Sequence, residues 1–154
     1  MDLELLAFEF FKKFSRMEYV LKRMGLLQNG SKAKADWNQL ELRISYSFPN
    51  NYSEVLTADL QLTINYLLNN PPNTLYKRNR TIEWDLSEID STLSVSKRLI
   101  NILNITRNNL FHGGKSTDIL ENTNYERNQL LLESCIKIID YILSQDSEIR
   151  TTFG

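Results

Sequence analysis

Apolar residues recur every three or four positions over most of the chain, which is the spacing of one face of an α-helix. The first such stripe consists of Leu3, Ala7, Phe10, Phe14, Met17, Leu21 and Met24. Gly25 follows directly, and glycine is common just past a helix C-terminus because it tolerates the left-handed conformation found there. The pattern therefore predicts one amphipathic helix from residue 3 to residue 24.

Four later segments repeat the helical spacing, over residues 36–48, 53–68, 87–112 and 123–145. Asp36 with Gln39, and Thr123 with Glu126, have the spacing of a capping box, in which two side chains satisfy free N–H groups of the first helical turn. Proline or glycine residues after three of these segments supply the stops. The pattern predicts four more helices.

Residues 73–86 interrupt this pattern. Residues 76–80 are a small basic cluster with a tyrosine, and residues 81–85 alternate weakly, like a short extended piece. The remaining pattern predicts an all-α domain over residues 1–154, an up-and-down bundle of four to five helices with one irregular loop. Residues 146–154 are expected to fray.

The composition limits the classes of protein to which the chain can belong. The chain has 154 residues, 42% of them apolar, which suits one domain with a substantial core. Its net charge of −1 gives no general attraction for nucleic acid, so an RNA partner would need a local basic patch. No signal peptide and no membrane-spanning stretch are recognised, so a cytoplasmic protein is expected.

Cys135 is the only cysteine and lies within an apolar run. A single cysteine excludes an intramolecular disulfide framework, and with a single histidine it excludes a Cys/His metal cluster. Cys135 is interpreted as a small buried hydrophobe in preference to a reactive thiol. No metal and no cofactor are predicted.

The only histidine, His112, follows Arg107 near the end of the predicted helix 87–112. Arg107 borders the apolar stripe, so its charge needs a partner, either Glu18 of the first helix or a phosphate of a ligand. Five residues at about 100° each place His112 roughly 140° around the helix from Arg107, so on a regular helix the two side chains diverge. Unwinding at Gly113-Gly114, or a second chain, would bring them together. Taken alone, a histidine at a helix end is more often solvated than catalytic.

The segment Arg107-Asn108-Asn109-Leu110-Phe111-His112-Gly113 resembles the signature of the HEPN superfamily (higher eukaryotes and prokaryotes nucleotide-binding domains). That signature is an arginine followed by a polar residue, with a histidine after four to six intervening positions. Here four positions intervene and Asn108 is the polar residue. A group of bacterial HEPN proteins is also similar in residues 14–22, Asp36-Trp37, Pro71-Pro72, Trp84 and the leucine-rich last helix.

The resemblance implies a metal-independent endoribonuclease in which a homodimer brings two Arg–His motifs into one cleft. Arg107 would stabilise the scissile phosphate, and Asn108 would orient the phosphate or the arginine. His112 would transfer a proton as the RNA 2′-hydroxyl attacks, leaving a 2′,3′-cyclic phosphate. Glu18 and Asn109 are assigned supporting roles.

The resemblance also implies a toxin or antiviral effector that arrests growth by cutting RNA, in some members paired with an antitoxin or other regulatory partner. One subgroup is modified by its partner on a tyrosine two residues after the histidine, where this chain has Gly114. Lys77, Arg78, Arg80 and Lys115 are the candidate contacts to RNA outside the motif, although the favoured interpretation of residues 73–86 is a solvated loop with Trp84 held against the core.

Two other interpretations stay open. A HEPN domain that binds nucleotides or RNA, or serves in assembly, would keep the fold without the reaction. A structural helical bundle would contain the motif by chance. The complete Arg-Asn-His set favours the ribonuclease, whereas the modest net charge does not indicate strong RNA binding.

Overall fold

The computed structural model describes residues 2–111 and 125–154. In these ranges the chain forms seven helices and one two-stranded antiparallel sheet. The elements are α1 (Leu3–Arg23), α2 (Trp37–Ile44), α3 (Tyr52–Val55), α4 (Ala58–Asn69), β1 (Asn73–Arg78), β2 (Thr81–Leu86), α5 (Val95–Phe111), α6 (Tyr125–Gln145) and α7 (Ser147–Phe153). A mainly helical protein is confirmed, and the sheet is an element that the all-α prediction lacked.

The core lies among α1, α4, α5 and α6, which pack on one another. The predicted stripe of α1 is buried from Leu3 to Leu21, and Met24 packs against the core from its edge. Gly25 has φ +80°, as expected of the residue that stops this helix. None of the described helices is both long enough and apolar enough to span a membrane.

The start of α2 is set by Asp36, whose Oδ1 accepts hydrogen bonds from the backbone N–H groups of Asn38 and Gln39 at 3.0 and 3.4 Å. The side chain of Gln39 donates to Asp36 Oδ2 at 3.1 Å, and this bond is the main reason that the pKa of Asp36 is lowered. The predicted cap by Asp36 is confirmed, but the capping box is not completed, because the Asp36 N–H donates to the Leu26 carbonyl at 2.8 Å and not to Gln39. The helix ends at Ile44, earlier than predicted, although Phe48 is still buried.

The predicted helix 53–68 is divided into α3 and α4. Leu56 is extended, with ψ 164°, and the Thr57 hydroxyl accepts a hydrogen bond from the N–H of Leu60 at 3.4 Å. A threonine that caps a helix in this way gives the backbone an alternative to continuing the previous turn. The prediction of one continuous helix was therefore wrong.

The helix predicted from Ser87 begins only at Val95. Ser87 is buried and bound to Pro72, since its N–H and its hydroxyl donate to the Pro72 carbonyl at 3.0 and 2.5 Å. Ser94 supplies the start signal, because its hydroxyl accepts from the N–H of Lys97 at 3.2 Å. The eight residues before α5 form an irregular segment.

Residues 73–86, predicted as an irregular loop, form a β-hairpin in which Leu75 pairs with Trp84 and Lys77 with Ile82. Asn79 takes a positive φ of 58° at the tip, a conformation that asparagine tolerates better than most residues. Alternating residues and a central asparagine were visible in the sequence, and together they favour a hairpin.

The C-terminal tail does not fray. Asp146 caps α7 by accepting from the N–H groups of Glu148 and Ile149 at 3.1 and 3.0 Å, and Ile149 is fully buried. Arg43 of α2 pairs with Asp146 and with Glu148, the latter at 2.6 Å. These contacts stabilise a segment that the sequence pattern alone predicted to be loose.

Candidate functional site

Arg107 lies near the C-terminal end of α5, at the edge of the core. Leu103 and Thr106 before it are buried, and the Thr106 hydroxyl bonds back to the Ile102 carbonyl at 2.8 Å. These contacts determine which face of α5 packs against the core. The Arg107 side chain is left 29% exposed, at the border that the sequence predicted.

Glu18 of α1 is a partner of Arg107, as predicted, with its Oε1 3.5 Å from Arg107 Nη2. The Glu18 side chain is 24% exposed, so the pair sits at the rim of the interior and keeps access to solvent. The guanidinium also lies over the ring of buried Phe14, with Cζ 5.7 Å from the centroid. An aromatic face attracts a cation, so Phe14 helps to hold the guanidinium in place.

Asn108 contacts the same guanidinium, because its Oδ1 accepts from Arg107 Nη1 at 2.9 Å. Asn108 is exposed, so this bond links Arg107 to the solvent side of the helix. Glu18 and Asn108 therefore hold two different nitrogens of one planar group. Such a planar fork suits an oxyanion that accepts parallel hydrogen bonds.

Asn109, which was predicted to support the site, has another described contact. Its side chain is buried and its Nδ2 donates to the backbone carbonyl of Asn73 at 2.8 Å. Because Asn73 begins β1, this bond ties the base of the hairpin to α5. The described contact of Asn109 positions the hairpin and does not involve the guanidinium.

His112 and Lys115 lie outside the described residues, as do Gly113, Gly114 and the predicted cap Thr123. Two statements about His112 therefore stay predictions. The first is that its side chain points away from that of Arg107 on a regular helix. The second is that unwinding at the glycines, or a second chain, brings the two side chains together.

The hairpin cations differ from one another. Arg78 pairs with Glu83 at 3.0 Å and with Asp85 at 3.4 Å, and its Cζ lies 5.0 Å from the Tyr76 ring centroid. Its charge is thus balanced within the hairpin. Lys77 and Arg80 are exposed, and they remain the better placed of the three for a phosphate.

Sequence reasoning missed a polar groove beside Arg107, with a volume of about 740 Å³. Its walls come from residues 28–29, the start of α2, residues 88–93 and the α5 side chains Lys97, Asn101, Asn104, Ile105 and Asn108. Asn108 thus belongs both to the groove and to the Arg107 contacts. The signal was a polar stripe at helical spacing, at residues 97, 101, 104 and 108.

Cys135 is fully buried, and burial raises the pKa of its thiol to about 12. The interpretation as a buried hydrophobe is therefore confirmed, since the reactive thiolate is strongly disfavoured. Across the described ranges, no group of three or more His, Cys, Asp or Glu residues is arranged to hold a metal ion.

Comparison with known proteins found no matching family model, no matching curated protein and no matching solved structure. The functional assignment therefore depends on the residues themselves and on the resemblance of the Arg107–His112 segment.

Proposed function

We propose that the chain is a HEPN-like helical domain that acts as a metal-independent endoribonuclease. The observation that carries the proposal is Arg107, held at the rim of the core by Glu18 and Asn108. A guanidinium oriented by neighbours and still open to solvent is suited to a phosphate of RNA. Together with the motif, it makes phosphodiester cleavage the best supported chemistry.

In this reaction the RNA 2′-oxygen forms a bond to phosphorus while the bond to the 5′-oxygen breaks. One proton leaves the 2′-hydroxyl, and another is delivered to the departing 5′-oxygen. We assign these two proton transfers to the His112 side chains of the two copies of the chain. Arg107 stabilises the negative charge on the non-bridging phosphate oxygens, and Asn108 keeps the guanidinium oriented. The products carry a 2′,3′-cyclic phosphate and a 5′-hydroxyl.

A homodimer is part of the proposal because one regular helix would direct Arg107 and His112 apart. The exposed face of α1 supports it, since Leu5, Phe8 and Tyr19 are 57%, 62% and 51% exposed. Exposed apolar side chains on the helix that also contains Glu18 are suited to packing against a second copy beside the site.

In the cell, we infer a cytoplasmic toxin or antiviral effector that arrests growth by cutting RNA, held in check by an antitoxin or other regulatory partner. This role is what the resemblance to HEPN proteins implies, and it is compatible with the proposed reaction because unrestrained RNA cleavage is harmful to the cell that contains it.

A non-catalytic module for nucleotide or RNA binding, or for assembly, is the second candidate. The charge balance favours the assembly role of this candidate, because Glu18 lies against Arg107 and two carboxylates lie against Arg78. Each of these contacts reduces the positive potential that RNA would meet.

Cleavage of labelled RNA in the presence of EDTA tests the proposal. We expect cleavage by the unaltered protein and a loss of at least about 100-fold in Arg107→Ala and in His112→Ala, the usual cost of removing an oxyanion stabiliser or a proton-transfer group. Arg23→Ala is the matched control, because Arg23 is an exposed arginine at the end of α1.

Unchanged cleavage in both site variants would reject Arg107 and His112 as the catalytic residues. Absence of cleavage by the unaltered protein would reject the ribonuclease and leave the non-catalytic module. Products with a 3′-hydroxyl would contradict the 2′-oxygen as nucleophile. Sedimentation that shows a monomer at micromolar concentration would reject the shared site.

A further inference from the structure

The groove beside Arg107 points to recognition of a base in the RNA substrate. We infer that it binds a base carrying an exocyclic amino group, adenine, cytosine or guanine, next to the phosphate held by Arg107. This inference deepens the proposed function and rests on it for the position of that phosphate.

Two sets of contacts join the groove to the Arg107 site. Asn108 lines the groove and accepts the hydrogen bond from Arg107. Trp37, which also lines the groove, stacks on Phe14 with ring centroids 5.1 Å apart, and Phe14 lies beneath the Arg107 guanidinium. A nucleotide bound in the groove would therefore be next to one bound at Arg107.

The groove combines flat apolar surface with polar groups, as base sites do. Trp37, Ile89, Leu93 and Ile105 supply apolar wall against which a base can pack. The volume of about 740 Å³ lies in the range of about 300–1,000 Å³ that is usual for small-molecule sites. The space is therefore ample for one nucleoside.

Several polar groups of the groove are available to a ligand. Asn104 donates its Nδ2 to the Ile100 carbonyl at 3.0 Å, which leaves its Oδ1 as an acceptor. Within the described ranges, the side chains of Asn101 and Glu88 make no hydrogen bond. By contrast, Asp36 is engaged at the start of α2, and Asp90 accepts from Thr92.

Charge decides which ligand fits. The groove carries the carboxylates of Asp36, Glu88 and Asp90 against the single cation Lys97, so a phosphate is disfavoured there. A carboxylate accepts hydrogen bonds only, and the amino groups of adenine, cytosine and guanine donate them. Uracil presents two carbonyl oxygens and one N–H and has no amino group to donate to Glu88, so it matches this groove less well.

Binding of short 2′-O-methyl RNA oligomers tests the inference separately from catalysis, because these oligomers lack the nucleophilic hydroxyl. Fluorescence anisotropy would compare oligo-C and oligo-A with oligo-U. We expect the unaltered protein to bind the first two about 10-fold more tightly, the usual scale of discrimination by paired contacts to one base. We expect Asn101→Ala and Glu88→Gln to reduce this preference at least threefold.

Two controls match these variants. Asn69→Ala removes an exposed asparagine at the end of α4, and Glu4→Gln removes an exposed carboxylate in the first turn of α1. Both should keep the preference of the unaltered protein. The two groove variants lie on different elements, so misfolding of one leaves the other as a test.

The results separate the two proposals. Equal affinity for the three oligomers, absence of binding to all of them, or a preference unchanged in both groove variants would overturn the inference. An equal change in affinity for all oligomers would also overturn it, because that result indicates a charge effect without base recognition. A preference that depends on the groove in a protein that cuts no unmodified RNA would support the base site and reject the ribonuclease.

Discussion

Arg43 and Arg107 each join one helix to a carboxylate on another, and their side chains are similarly exposed, at 32% and 29%. Arg43 donates hydrogen bonds to two carboxylates at the start of α7, those of Asp146 and Glu148. Arg107 approaches Glu18 at 3.5 Å and donates its 2.9 Å hydrogen bond to its neighbour Asn108. Among the described contacts, the difference lies in the kind of partner and not in burial. Two carboxylates bonded to Arg43 fasten α2 to α7, whereas the described partners of Arg107 are one carboxylate and one amide, which orient the guanidinium.

The largest effect on stability is expected from Arg43→Ala. Removing Arg43 leaves Asp146, only 14% exposed, without its cation, and we expect a loss of about 2 kcal/mol in the free energy of unfolding. Hydrogen exchange should accelerate first in the amides of α7. The matched variant Arg107→Ala should lose less than about 1 kcal/mol, and urea unfolding measures both. Equal losses of unfolding free energy in the two variants would contradict the proposed difference between Arg43 and Arg107.

The variant Glu18→Gln tests whether Glu18 orients the Arg107 guanidinium or only lowers the positive charge beside it. The variant removes a negative charge beside Arg107, so RNA should bind more tightly while the guanidinium is less firmly oriented. We expect kcat to fall about 10-fold, equivalent to about 1.4 kcal/mol, together with a lower KM. Steady-state cleavage of one defined RNA measures both constants. A change in KM alone would mean that Glu18 acts only through charge.

The smallest effect is in the pH dependence of stability. The hydrogen bond from Arg43 lowers the pKa of Asp146 below its ordinary value of 3.8. A carboxylate with a lowered folded-state pKa stabilises the protein above its unfolded-state pKa, and that contribution disappears as the pH falls through the folded-state pKa. We expect the stability difference between the unaltered protein and Asp146→Asn to shrink by about 1 kcal/mol between pH 6 and pH 3.

Urea unfolding at the two pH values measures that difference. A gap of constant size would show that the Asp146 charge contributes nothing through Arg43. Glu4→Gln is the control, since Glu4 is exposed in the first turn of α1.

Local signals allowed much of the helical fold to be predicted. The α1 stripe, the glycine stop at Gly25 and the Asp36 cap all act within one or two helical turns, so the sequence shows them directly. Thr57 and Ser94 are equally local signals that were outweighed by apolar spacing, and they divide or delay helices where continuous ones were expected. Capping residues can override periodicity when they give the backbone a competing hydrogen bond.

Elements whose stability depends on distant partners were less predictable. The hairpin is tied to α5 through Asn109, and α7 is held by Arg43, which lies about one hundred positions earlier in the chain. Neither contact has a periodic signature. From its sequence alone, a short amphipathic segment such as α7 is predicted to fray, because the distant residue that holds it cannot be identified from the local pattern.

The sequence by itself determined the helical stripes, their principal stops and a motif with Arg107, Asn108 and His112 close together. It also indicated Glu18 as a partner, because a charge at the edge of a buried stripe must be compensated. Only the tertiary structure decided that Asn109 supports the hairpin, that Arg78 is neutralised by its own strands, and that a groove of amides and carboxylates adjoins Arg107. The physical reason is that helical periodicity is a short-range property, whereas a site is made by the packing of segments far apart in the chain.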